Sequence, residues 1–397
     1  MDHILWCTGH KLILSDIIKA EGCFLYDSQD RKFLDLESGV WCSPLGHSHP
    51  QVNKALKAQI DKIIHTGFCY ADPVIDATAQ AILALLDFTD GKCIFLSSGS
   101  EAVEFGVQAL RAVSGKPLLL TLSDSFLGSY GSAGKKQKDE WFLFDWTPCT
   151  VCPKMSACDP QCNHLTAISF DKIGGFVFEP GSASGLVRFP PQALIRTLTD
   201  QVRRHGGFVH INEVTTGIGR TGKWFGYQHY GICPDIVSLG KGLGNGYPVS
   251  AIALSSKISD CLERRPFHYS QSHQNDPLGC AAAEAVISAL HKDNLIEKGA
   301  QAGVYLLDQL LQLKTAYSAI EDFRGRGLMI AIEFSQPVEH ASMQALHEQL
   351  IQNGYIVAKR PGLNVLRLDP PLIIEKKNID AFIDTLSLLI KSCTDFM

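Results

Sequence analysis

Between residues 93 and 254 the chain repeats one pattern, and that pattern leaves few folds open. Six short apolar runs recur, at 93–96, 118–122, 175–178, 208–211, 236–239 and 249–254. Amphipathic stretches separate several of them. Leu194, Leu198 and Val202, for example, keep the 3.6-residue helical period before the chain closes at Gly206-Gly207. Strands that are apolar throughout are buried on both faces, and helical crossovers between them let successive strands run the same way. The expectation is an α/β fold on a mainly parallel sheet.

The flanks read differently. Residues 22–36 alternate around a polar turn at 27–30, as a β-hairpin does. Asp72-Pro73 opens a helix carrying Ile75, Ala79, Ile82 and Leu86. From Asp276 a long helix leads to a βαβ-like stretch, with a helix ending at Asn353-Gly354 and short strands near Val357 and Leu366. A last amphipathic helix bears Ile379, Phe382, Ile383, Leu386 and Ile390. This divides the chain into an N-terminal segment of a small domain (1–45), a large domain (46–284) and a C-terminal small domain (285–397).

With 36 basic against 41 acidic residues, a net charge of −5, there is no cationic excess to attract nucleic acid or an acidic membrane surface. No apolar stretch is long enough to span a bilayer, and the first residues lack a basic start followed by an apolar run. Most of the 13 cysteines sit singly inside apolar elements, which suits reduced thiols in the cytoplasm.

The segment 209–248 carries the chemistry. Lys241 stands in a glycine-rich turn just after the apolar run at 236–239. Glycines let other groups approach such a lysine closely, and partial burial frees its amine to act as a nucleophile. Alone this is an ordinary loop lysine. With Glu213-Val214, Thr216-Gly217, Gly219-Arg220-Thr221-Gly222, Pro234-Asp235, Lys241-Gly242 and Gly246-Tyr247-Pro248, the segment resembles the cofactor segment of class-III pyridoxal-phosphate (PLP) aminotransferases.

That resemblance implies a PLP-dependent transferase of fold type I, with a Schiff base between Lys241 and PLP. It casts Gly99 and Ser100, in Ser98-Gly99-Ser100-Glu101-Ala102, as a helix start that binds the phosphate. Phe126 stacks on one face of the pyridine and Val214 presses on the other. Glu179 and Thr215 also border the cofactor. Ser272 reaches the phosphate from a partner subunit, which implies a homodimer with a shared active site. Arg367, in LRLDPPL, takes a substrate carboxylate, and Trp41, Phe68 and Tyr70 line an aromatic entrance. His47 and His49, in PLGHSHP, match a turn of the family rather than a metal site.

Departures from the family pattern bear on the reaction. Asn212 stands where a carboxylate would hold the pyridine nitrogen protonated, and each pK unit lost there is worth about 1.4 kcal/mol. Ser184 replaces a glutamate that covers the arginine, so Arg367 is expected to be open. The implied function is transfer of an amino group from an amino acid or ω-amine to a keto acid. A racemase or epimerase, or a weakened PLP-binding protein, stands beside it because of Asn212. The run Cys149-x2-Cys152-x5-Cys158-x3-Cys162 has the number and spacing for zinc or an iron–sulfur cluster, structural rather than catalytic, with His164 as a substitute ligand. An inherited loop without metal is the alternative.

Overall fold

The computed structural model describes residues 3–6, 12–67, 69–153, 156–265, 267–335 and 340–392. Strands β1 (Ile17–Glu21), β2 (Phe24–Asp27) and β3 (Lys32–Asp35) form an antiparallel meander. The turn between β2 and β3 is held by Asp27, whose carboxylate accepts from the N–H groups of Gln29 and Arg31. β1 was not evident from sequence, because its apolar residues stay exposed and no alternation marks it.

The large sheet follows. Its strands are β4 (Lys92–Leu96), β5 (Leu118–Leu122), β6 (Trp141–Phe144), β7 (Ile173–Phe178), β8 (Phe208–Asn212), β9 (Ile236–Leu239) and β10 (Ser250–Leu254), in the order β4-β10-β9-β8-β7-β5-β6. The pairs from β6 across to β9 are parallel, while β10 runs antiparallel to both β9 and β4. All six apolar runs are therefore strands of one sheet. The seventh, β6, lies at the edge and was missed in the sequence, although its four residues (141–144) are all apolar. Helix Gly99–Ser114 packs on one face, and helix Gln192–Arg204 buries Leu194, Leu198 and Val202 in the core.

The C-terminal region holds β11 (Ile320–Arg326), β12 (Met329–Phe334), β13 (Tyr355–Ile356), β14 (Ala358–Lys359) and β15 (Val365–Leu368). β13 pairs in parallel with β3, so the N-terminal meander is completed by residues more than three hundred positions later. The other four make a sheet in the order β11-β12-β15-β14, antiparallel at every pairing. A βαβ reading of this stretch is thus corrected. The tight β11–β12 hairpin, turning at Gly327 (φ 55), reverses the chain before any crossover helix. The long helix expected from Asp276 is two, Pro277–Lys292 and Leu295–Ala316, broken where Asn294 adopts φ 50. The last helix, Lys376–Ser392, buries the five apolar residues that its periodicity singled out. No helix among the described residues is long and apolar enough to cross a membrane.

Candidate active site

Strands β4, β5, β7, β8 and β9 all run in one direction, and the candidate residues follow their carboxyl ends. This is where α/β sheets place ligands. Gly99 and Ser100 follow β4, Phe126 follows β5, Glu179 follows β7, Asn212 ends β8, and Lys241 comes two residues after β9. Lys241 has φ 43, a left-handed backbone that a lysine adopts only under constraint. A cavity of about 170 Å³ is lined by Gly99, Ser100, Phe126, Asn212, Val214 and Thr215 together with Lys241.

The Lys241 Nζ donates to the Thr215 Oγ1 at 2.9 Å. Desolvation lowers its pKa to about 8, partly offset by the electrostatic influence of Cys42 and Glu179. A lowered pKa leaves more of the amine uncharged, as a nucleophile toward an aldehyde requires.

The phosphate end is built from backbone. Ser98 caps helix Gly99–Ser114 in a capping box with Glu101. The N–H groups of Gly99 and Ser100 have no hydrogen-bond partner among the described residues, so they remain first-turn donors for an anion. Gly99 must be glycine here, since a Cβ would stand 2.5 Å from Val214 Cγ1. Phe126 is half-exposed, with its ring bordering the cavity, and Val214 borders it from β8's side.

Asn212 is buried, and both ends of its amide are engaged. Nδ2 donates to the Phe126 carbonyl at 3.0 Å, and Oδ1 accepts from the Val214 N–H at 3.1 Å. One N–H of the amide is left for the cavity. Glu179 borders the site differently from what the resemblance implied. It lies under the cavity, where its carboxylate accepts from the N–H groups of Phe126 at 3.0 Å and Ala183 at 3.2 Å. Burial pushes its pKa up to about 7 against those two hydrogen bonds. Glu213 is likewise a clamp, holding the N–H groups of Gly226 and Tyr227. Ser272 is exposed and does not line this cavity; its assigned role requires a second subunit.

The expectation of an open arginine is not met. Arg367 and Asp369 are both fully buried, with Nε–Oδ2 2.6 Å and Nη2–Oδ1 3.1 Å, and Nη1 donates to the Ala183 carbonyl at 3.3 Å. Asp369 lies one residue past the end of β15 and two from Arg367, near enough in sequence for the pair to close. Trp41 ties this pair to the lysine. Its ring lies 3.6 Å from Arg367 Cζ, 4.9 Å from Lys241 Nζ and 5.4 Å from Arg360 Cζ. Arg360 was missed in the sequence, having no motif around it. It is half-buried and in no ion pair with a carboxylate among the described residues, although its charge acts on the Glu37 carboxyl. Tyr70 is exposed, and Phe68 lies outside the described residues. His47 Nε2 donates to the Asp35 carboxylate at 2.8 Å, in the turn. The four cysteines of 149–162 surround a separate cavity.

The fold is that of a PLP enzyme of fold type I, with a desolvated lysine, a helix start with unpaired N–H groups and a half-exposed phenylalanine at the carboxyl edge of a mainly parallel sheet. Residues 7–390 match the family described as Aminotransferase class-III, and the chain belongs to it. It is 32% identical to an acetylornithine aminotransferase of Streptococcus mutans, covering 92% of this chain and 93% of that one. It is 28% identical to a leucine/methionine racemase of Thermococcus litoralis, covering 93% and 89%. Among solved structures, a Bacillus anthracis aminotransferase superimposes with a TM-score of 0.89 at 23% identity, over 98% of this chain and 96% of that one.

Proposed function

We propose that the chain transfers an amino group between a primary amine and a keto acid, with Lys241 as both the covalent anchor for PLP and the proton carrier. The observation that carries this is the Lys241 amine, desolvated and held 2.9 Å from Thr215 Oγ1 in a cavity that also offers unpaired N–H donors at Gly99 and Ser100. In that cavity PLP would supply an aldehyde for the amine and a conjugated ring that takes up electrons from the substrate carbon. Gly99 and Ser100 hold the phosphate, Phe126 and Val214 keep the ring flat, and Asn212 offers it one neutral N–H. Lys241 Nζ takes the proton from the amine-bearing carbon, and Thr215 orients that nitrogen.

Substrate recognition follows from charge. Asp369 neutralises Arg367, so Arg360 is the cation left facing the Trp41 ring, and it is our candidate for the keto-acid carboxylate. Arg360→Gln should raise the KM for keto acids at least about tenfold, the worth of a charge-assisted hydrogen bond. KM for an amine without a carboxylate should not move. Equal effects on both would remove Arg360 from this role. Ser272 is exposed and away from this cavity, so the phosphate contact that the resemblance implies for it would need a homodimer, and the free state of the described cysteines supports a reducing, cytoplasmic setting.

Asn212 favours a second reading. A ring held by a neutral amide draws electrons less strongly, which favours return of the proton to the same carbon, as in a racemase. Incubation with single-enantiomer amino acids separates the two: keto-acid formation marks transamination, and loss of optical activity without keto acid marks racemisation.

A further inference from the structure

The cysteine loop is the one chemically distinctive feature that amino transfer does not use. It leaves the sheet after β6, makes a 3-10 turn at Thr147–Val151, and returns through the short helix Asn163–Thr166 against helix Gln192–Arg204. Backbone hydrogen bonds close the turns that bear the thiols. Cys149 N–H donates to Trp146 and Cys152 N–H to the Cys149 carbonyl, while Cys162 N–H donates to Asp159. A fourth contact pins the middle of the loop, where Thr197 Oγ1 donates to the Cys158 carbonyl at 3.4 Å. All four thiols are free and only partly buried, and all four line one cavity of about 180 Å³ with Leu165 and Leu194.

The space between the sulfurs decides what they could hold. Four thiolates around one zinc ion, each about 2.3 Å from it, bring every pair of sulfurs to about 3.8 Å and leave no void. Here all four border a cavity large enough for an inorganic core. The close-packed trio of candidate ligands found among the described residues is elsewhere, at His65, His273 and Asp276. An iron–sulfur cluster has the opposite requirement. Its inorganic core of iron and sulfide sits between the thiolates, which bind different irons and stand apart. The apolar wall from Leu165 and Leu194 suits such a core, which is soft and weakly hydrated.

We infer that Cys149, Cys152, Cys158 and Cys162 bind an iron–sulfur cluster, each thiol losing its proton and coordinating iron as thiolate. The cluster closes the loop onto helix Gln192–Arg204. It also steadies Trp146, whose Nε1 donates to Asp124 at 2.8 Å, two residues before the stacking Phe126. The link to the active site is therefore one of positioning.

The test is elemental analysis of the full chain, expressed with added iron and purified without oxygen, beside the Cys158→Ser/Cys162→Ser variant. The expected result is at least two irons per chain with an equal amount of acid-labile sulfide, lost in the variant while bound PLP is retained. Zinc at one per chain without sulfide, no metal in the native chain, or iron unchanged in the variant would each overturn the proposal. The native chain's iron and sulfide decide the matter even if the variant fails to fold.

Discussion

Arg367 and Asp369 meet as a buried, two-pronged ion pair against the Trp41 ring, 2.6 and 3.1 Å between their atoms. A guanidinium so engaged is a poor receptor for a second carboxylate, because the new partner must compete with one already in place at no entropic cost.

Asp369→Asn should therefore release it. We expect the KM for keto acids to fall about tenfold or more, since a charge-assisted pair contributes about 1.5–3 kcal/mol. The same change leaves a buried cation without its partner, so the unliganded protein should lose about 3–5 kcal/mol of stability. Steady-state kinetics and thermal unfolding with and without keto acid check both halves. An unchanged KM would show that Arg367 does not face substrate.

Asn212→Asp restores a carboxylate to the ring nitrogen. The half-reaction with an amine donor should speed up by at least an order of magnitude, since a gain of one pK unit on the nitrogen corresponds to about 1.4 kcal/mol. The variant should also unfold at lower temperature, because a carboxylate oxygen would then face the Phe126 carbonyl that Nδ2 now binds. Single-turnover spectra with an amine donor measure the first effect and calorimetry the second.

Gly99→Ala places a methyl group where Val214 Cγ1 already stands, 2.5 Å away. Either Val214 or the helix start must move, and both touch the cofactor site. PLP affinity should fall about tenfold or more while the fold persists, as equilibrium dialysis of the stripped protein would show.

The Lys241 pKa, lowered to about 8 chiefly by burial, makes a statement about pH. The neutral amine is the reactive form and gains population as pH rises. At pH 7 about one lysine in ten is free, against fewer than about one in a thousand for an ordinary lysine. The rate of PLP capture by the stripped protein, divided by that of a model amine to cancel the cofactor's own titration, should rise through a midpoint near 8. A midpoint near the ordinary lysine value would show that burial has not tuned it.

Much of this site is written in local sequence. Lys241, Gly99 and Val214 could be placed because each serves one short-range purpose: a turn after a strand, a helix start, a residue at a strand end. What stayed hidden was long-range or geometric. Asp369 reads as an ordinary polar residue until the fold closes it onto Arg367. Arg360 gains its meaning only from Trp41, more than three hundred residues away in sequence. Glu179 was named in the sequence, but no motif announces its two hydrogen bonds from the backbone N–H groups of Phe126 and Ala183. The same holds for the fold. Apolar runs revealed six strands of the large sheet; the edge strand β6 was passed over although equally apolar, and the exposed β1 lacks the burial that makes a run visible. The antiparallel C-terminal sheet depended on a hairpin at Gly327 rather than on composition.

In the proposed reaction PLP attaches to Lys241, and borohydride reduction of the PLP-loaded protein followed by peptide mass spectrometry shows whether it does. The expected result is one reduced cofactor per chain on the peptide bearing Lys241, and none in Lys241→Ala. Attachment at another lysine, or equal labelling of the variant, would contradict it.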